Sequence, residues 1–138
     1  MCIRDRYAIT PLHKAAEDSK TPAVAAVLID RGADVMARKN NGGTPLHYAA
    51  GWSKTPAVAA VLLNRGADVN ARDKWGQTPL HNAAWPSKTP AVAAVLLDAG
   101  ADVTARDDEG KTPADLARDN DALKGSAVYS RLKERRYE

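Results

Sequence analysis

The sequence contains no phenylalanine, one cysteine and only seven tryptophan and tyrosine residues together. A core without phenylalanine has to be assembled from small aliphatic side chains, here alanine, valine and leucine. The lone Cys2 excludes an internal disulfide framework and any paired-cysteine redox or zinc motif, and a reducing, cytoplasmic setting fits. No apolar run approaches the ~20 residues of a membrane-spanning helix. No charged start followed by an apolar stretch marks a secretory signal. A net charge of +3 is too small to argue for nucleic acid. Phosphate-cradling loops, GxSxG elbows and HExxH helices are missing too. The expectation is therefore of a chain that is not an enzyme, with no catalytic, cofactor-binding or metal-binding residues.

What the sequence does have is repetition. Thr-Pro-Leu-His begins at Thr10, Thr44 and Thr78, and a degenerate Thr-Pro-Ala-Asp begins at Thr112, each start 34 residues after the last. The copies beginning at Thr44 and Thr78 agree at 25 of 34 positions. Self-similarity at a fixed period of this size signals a stack of supersecondary units.

Each copy reads as two short helices and a finger. Threonine is a good N-cap, because its oxygen accepts from orphan N–H groups of the first turn. Proline suits the first helical position. Thr10-Pro11, Thr44-Pro45 and Thr78-Pro79 thus open a first helix of about two turns. Thr21-Pro22, Thr55-Pro56 and Thr89-Pro90 open a second, which Gly32, Gly66 and Gly100 end with left-handed caps. Val24, Val27 and Leu28 share a face at helical spacing, as do Val58, Val61 and Leu62, and Val92, Val95 and Leu96. The following Ala-Asp-Val-x-Ala-Arg is too short for a third helix and predicts an extended, hairpin-like finger. Helices this short are marginal alone, so stability has to come from neighbouring copies.

The final copy departs from the pattern: residues 120–125 lengthen the loop between its helices, and the second cap is Ser126. Arg131, Lys133, Glu134, Arg135 and Arg136 make its last helix polar, as an exposed end of a stack requires. Residues 1–6 stand outside the repeat and resemble the translated end of a sequencing adapter. They read as a leader, with units at about 7–41, 42–75 and 76–109 and a capping unit at 110–138. If the natural chain extends upstream of Tyr7, the first copy lacks a cap and should fray, with residues 10–30 the least protected from hydrogen exchange. Uniform protection would count against that.

Thr-Pro-Leu-His-x-Ala-Ala, a valine and leucine helix, then Gly66-Ala67-Asp68-Val69-Asn70-Ala71 together resemble the ankyrin repeat, over nearly the whole of residues 7–138. The resemblance implies an all-α solenoid of helix-loop-helix units with hairpin-like fingers. It implies a monomeric protein-interaction scaffold that grips a protein partner on a concave face of finger tips and first helices, without a small-molecule substrate or membrane insertion. It further places Asn70 where asparagine hydroxylation occurs in some ankyrin proteins. One residue more than the family's usual period lengthens the Ser-Lys-Thr-Pro segment, which affects a loop and not the fold.

His13, His47 and His81 sit at identical phase, but packed helices lie roughly 8–10 Å apart, while zinc ligands must all come within about 2 Å of one ion. Hydrogen bonding of each ring to loop backbone is the expected role. Asp34, Asp68 and Asp102 are expected to fix the turn after the second helix through nearby backbone.

Positions that differ between copies are free of the stacking duty. They comprise the tips 39–41, 73–75 and 107–109, the first-helix positions Lys14, Tyr48 and Asn82, and that helix's end at Trp52 and Trp85. All three tryptophans fall among them, and tryptophan and tyrosine are enriched at binding hot spots. Tyr48, Trp52, Trp75 and Trp85 are accordingly read as an aromatic patch, with Asn41, Lys74, Asn82 and Asp108 completing the partner-binding set. The competing reading has Trp52 and Trp85 covering the lengthened loops. The tips grade from basic (Arg38, Lys39) to acidic (Asp107, Asp108, Glu109), which would orient a partner. A nucleic-acid or anionic surface on the basic last helix is the other alternative, as is service as the accessory module of a longer protein, possibly an enzyme.

Overall fold

At Thr44, Thr78 and Thr112 a threonine holds the chain in an extended conformation and turns it into a helix. The computed structural model describes residue 12 and residues 22–53, 56–85 and 90–133. In chain order these hold α1 (Pro22–Asp30), α2 (Pro45–Trp52), α3 (Ala57–Asn64), α4 (Pro79–Ala84), α5 (Pro90–Asp98), α6 (Pro113–Ala117), α7 (Asp121–Lys124) and α8 (Ala127–Lys133). No strand occurs among the described residues, and none of their helices is long and apolar enough to cross a membrane. The all-α reading holds.

Thr44 has φ −94° and ψ 167°, and its hydroxyl accepts from the His47 N–H while its own N–H donates to the His47 ring. This is a reciprocal capping box with histidine in the place usually held by glutamate or glutamine. Thr78 and His81 repeat it at the head of α4. Helix α3 ends in a Schellman motif: Gly66 (φ 97°) donates to the Leu63 carbonyl and Ala67 to that of Leu62, which consumes carbonyls the helix leaves unpaired.

One helix start differs from expectation. α3 begins at Ala57, and Pro56 (φ −78°, ψ −4°) is its cap, with no side-chain bond. Pro56 is already turned in, and its carbonyl takes the first helical hydrogen bond from Ala60. α1 and α5 do begin at Pro22 and Pro90; Thr21, Thr55 and Thr89 lie outside the described residues.

The helices form two layers. α2, α4 and α6 lie side by side in one, and α1, α3, α5 and α8 in the other. Alanines make the close approach possible: Ala49, Ala50, Ala83 and Ala84 are fully buried, along with Leu46, Leu80, Leu62 and Leu96. The shared valine face is not equally used. Val58 and Val92 are completely buried, whereas Val24 and Val27 in α1 are 46% and 51% exposed. Among the described elements α3 packs against both α1 and α5, and α1 against α3. In the capping unit, the long loop is not plain loop: α7 occupies part of it and inserts Leu123 into the core. Asn120 ties that segment to the Ala84 carbonyl at 2.8 Å.

The fingers stack as the helices do. Asp73 donates to Gln77 across one finger and Gly76 to Asp73 at its tip. Lys74 N–H then bonds the Asn41 carbonyl of the finger before, and Asp108 N–H that of Trp75, both at 2.9 Å. Arg38 and Arg72 staple successive fingers, each donating to a carbonyl of its own finger and to one of the next, 2.8 Å away at Arg72 and Arg106 respectively. Such close contact leaves no room for side chains: a Cβ on Gly76, whose φ is +76°, would stand 2.7 Å from an Asp108 carboxylate oxygen.

Candidate interaction groove

The side chains of the finger tips and of α2 meet at a groove of about 450 Å³, lined by Lys39, Asn41, Gly43, His47, Tyr48, Trp52, Asp73, Trp75, Gln77 and Asn82. Tyr48 and Trp52 are one helical turn apart, so both rings face the same way. Their centroids are 5.7 Å apart with planes inclined by 42°. Trp75 comes to the same groove from the second finger. Trp52 and Trp75 are 52% and 49% exposed. Trp75 is therefore not sunk between units, although its backbone N–H bonds Asp73 and its carbonyl bonds the next finger.

Two lysines stand over these rings. The Lys39 ammonium lies 5.2 Å from the centroid of Tyr48, and that of Lys74 lies 5.0 Å from the centroid of Trp75. Both are within cation–π range. Asn82 is nearly buried, 8% exposed, and its Oδ1 has no hydrogen-bond partner among the described residues. Position alone identified Asn82 as a variable site; only the packing of α4 against α2 makes it a buried one.

The remaining expected residues are placed differently. Trp85, 53% exposed, lines a separate depression of about 420 Å³ with Lys111, Asp115, Leu116, Arg118 and Asp119. It does not share the groove of the other aromatics, because α4 advances it by one unit. Asp108 sits over Gly76 on the third finger, outside the groove lining. The loop segments that Trp52 and Trp85 could cover, 54–55 and 86–89, lie outside the described residues.

Two tip residues counted as variable are structural. The Asp73 carboxylate accepts from the N–H groups of Trp75 and Gln77. Asp107, only 8% exposed, does the same for Glu109 and Lys111. Burial works against the Asp107 charge, yet the N–H groups of Lys111 and Glu109 outweigh it and hold the carboxyl below the usual range. The exposed acidity of the third tip is thus Asp108 and Glu109. Sequence reasoning missed this because it read difference at the tip as a block, whereas the first tip residue is an aspartate in two of three fingers.

The histidines do bond the loops. The Nδ1 of His47 accepts from Thr44 N–H at 3.1 Å, so its Nε2 carries the proton donated to the Gln77 carbonyl at 2.9 Å. His81 makes the same pair of bonds to Thr78 and Lys111. Burial, the largest influence, pushes both rings below their ordinary value near 6.5, against the opposing backbone bonds to Gln77 and Lys111. Both nitrogens of each described ring are therefore engaged; His13 lies outside the described residues. Asp34, Asp68 and Asp102 each accept from the backbone N–H two residues on. The amide oxygen of Asn70 accepts from Asp102 N–H in the next unit.

Comparison with known families agrees with this geometry. A profile described as Ankyrin repeats (3 copies) matches residues 2–73, and one described as Ankyrin repeats (many copies) matches residues 62–117. The chain belongs to the ankyrin-repeat family. No curated protein matches it. Ankyrin repeats are in general protein–protein interaction modules, and typically non-catalytic ones. In this ankyrin array the basic last helix is partly committed: Arg131 pairs with Asp98 at 3.0 Å, and the Lys133 ammonium lies 4.7 Å from the Tyr129 centroid. Residues 134–138 lie outside the described residues.

Proposed function

We propose that this ankyrin array is a monomeric scaffold that binds a protein partner on the face formed by its finger tips and first helices. Residues 7–138 act as one interaction domain. Tyr48, Trp52 and Trp75 supply the anchors, Asn41, Lys74 and Asn82 the polar contacts around them, and Asp108 and Trp85 lie at the margin. The observation that carries this reading is the convergence of three aromatic rings on one groove, while the buried core holds no aromatic among the described residues. Exposed aromatic surface is costly to keep in water and is enriched where partners dock.

Site-specific photocrosslinking tests it. A benzoylphenylalanine replaces Trp52 or Trp75 in turn, and for comparison Asn64, which is exposed on α3 in the other helix layer. Discrete protein adducts are expected from positions 52 and 75 and not from 64. Equal labelling from 64, or none from 52 and 75, would place binding elsewhere.

A further inference from the structure

We infer that the occupant of the groove is an acidic peptide segment of the partner, entering with an apolar side chain between the rings and a backbone N–H directed at Asn82. The inference rests on the reading that this face binds protein, and adds the chemistry of what it takes.

Charge comes first. The finger residues 38–43 and 72–77 carry Arg38, Lys39, Arg72 and Lys74 against Asp73 alone. The Asp73 carboxylate already accepts two backbone N–H bonds, and His47 is held neutral by burial. Lys39 and Asp73 line the groove itself, and Lys74, Arg38 and Arg72 on the same two fingers make their net charge positive. The ring faces point the same way. An open cluster of tyrosine and tryptophan would suit a cation, but here Lys39 and Lys74 already stand about 5 Å over Tyr48 and Trp75. A cationic ligand would have to displace them. A carboxylate would pair with them while its neighbouring apolar side chain covers the rings.

Asn82 supplies the second, independent observation. A buried amide oxygen with no donor is uncommon in folded proteins, and leaving it unmade costs stability. It lines this groove, and a peptide N–H is the donor that an extended segment always carries. The third finger gives direction. Asp108 and Glu109 are exposed there and repel carboxylates, so the acidic part of the segment lies over the first two fingers.

The test pans phage-displayed random peptides against the full chain, and titrates the enriched peptides by fluorescence anisotropy. Enriched peptides are expected to be rich in aspartate and glutamate. Raising sodium chloride from about 50 to 500 mM should weaken them several-fold, as screening requires. The double variant Lys39→Glu, Lys74→Glu should weaken them by about tenfold or more. Asn82→Leu should weaken them by about tenfold while leaving the melting temperature of the free protein unchanged or higher, because it removes an unpaired acceptor. A purely structural asparagine would instead lose melting temperature and keep affinity. Neutral or basic peptides that bind and are lost in Trp75→Ala would overturn the acidic assignment but leave the binding face intact. Absence of any peptide that depends on Trp75 would overturn both.

Discussion

Replacing His81 with alanine is expected to lower stability by about 3 kcal/mol, roughly 10 °C in melting temperature for a chain of this size. The ring is completely buried and ties the head of its own helix to the following finger. It receives the Thr78 N–H at the head of α4 and donates to the Lys111 carbonyl of the following finger, 30 residues on. Alanine removes the ring's half of the capping box, the acceptor for Thr78 N–H, while the Thr78 hydroxyl keeps its backbone donor; it also leaves the Lys111 carbonyl without its partner and opens a cavity. His81→Gln separates the parts. Glutamine can complete a capping box but is not held by its ring plane toward Lys111, so an intermediate loss is expected. Thermal unfolding followed by circular dichroism measures both. Equal stability of His81→Ala and the parent would mean that the ring couples nothing.

The same rings give the fold a pH limit of definite sign. His47 and His81 are depressed below 6.5 in the folded chain, burial being the main cause. As pH falls below about 6.5 the unfolded chain takes up protons that the folded chain refuses, so stability present above that pH is progressively lost. The maximum slope is about 1.4 kcal/mol per pH unit for each ring. Asp102 and Asp115 are also depressed, through their hydrogen bonds with Thr104 and Thr112, but their stabilisation is lost only below the usual carboxylate range near 3.8. Melting temperature should therefore decline between pH 7 and 5, and the double variant His47→Gln, His81→Gln should flatten that decline.

The capping unit explains why histidine is needed where it stands. At the matching position Asp115 accepts from Thr112 N–H at 3.0 Å, which performs the first half of the histidine's task. One ring nitrogen caps and the other couples; a carboxylate can only cap.

Much of this was legible because the repeat prints each local rule more than once. The caps at Thr44, Thr78 and Thr112, the glycine stops and the turn aspartates need only chain neighbours, and they read correctly from sequence, whereas the start at Thr55-Pro56 shifted to Ala57. What depends on the unit next door did not. The valine pattern is the same in α1, α3 and α5, yet its burial differs. Trp52 and Trp85 hold adjacent phases in their units, 33 residues apart, but open on different depressions. Asn82 looks like any exposed variable residue until α2 and the second finger close around it.

Trp75→Ala should weaken partner binding by 30-fold or more, about 2 kcal/mol at a hot spot, and move the melting temperature by no more than about 2 °C. The two effects separate because the two halves of this residue do different work. Its backbone holds fingers together, receiving Asp108 N–H at 2.9 Å, and alanine keeps those atoms. Its ring is half exposed and lies under the Lys74 ammonium, so truncation removes surface and not core. Val92→Ala provides the opposite case: the side chain is fully buried in α5, and its loss should lower stability by about 1–3 kcal/mol while affinity below the melting transition stays unchanged. Trp85→Ala distinguishes position from residue type, since an equally exposed tryptophan on the neighbouring depression should cost far less binding than Trp75. Isothermal titration with a crosslinked partner, beside thermal melts of all three variants, measures both axes. If Trp75→Ala instead melted more than about 5 °C lower and kept its affinity, the ring would be a brace for the second finger, and the groove would have lost its anchor.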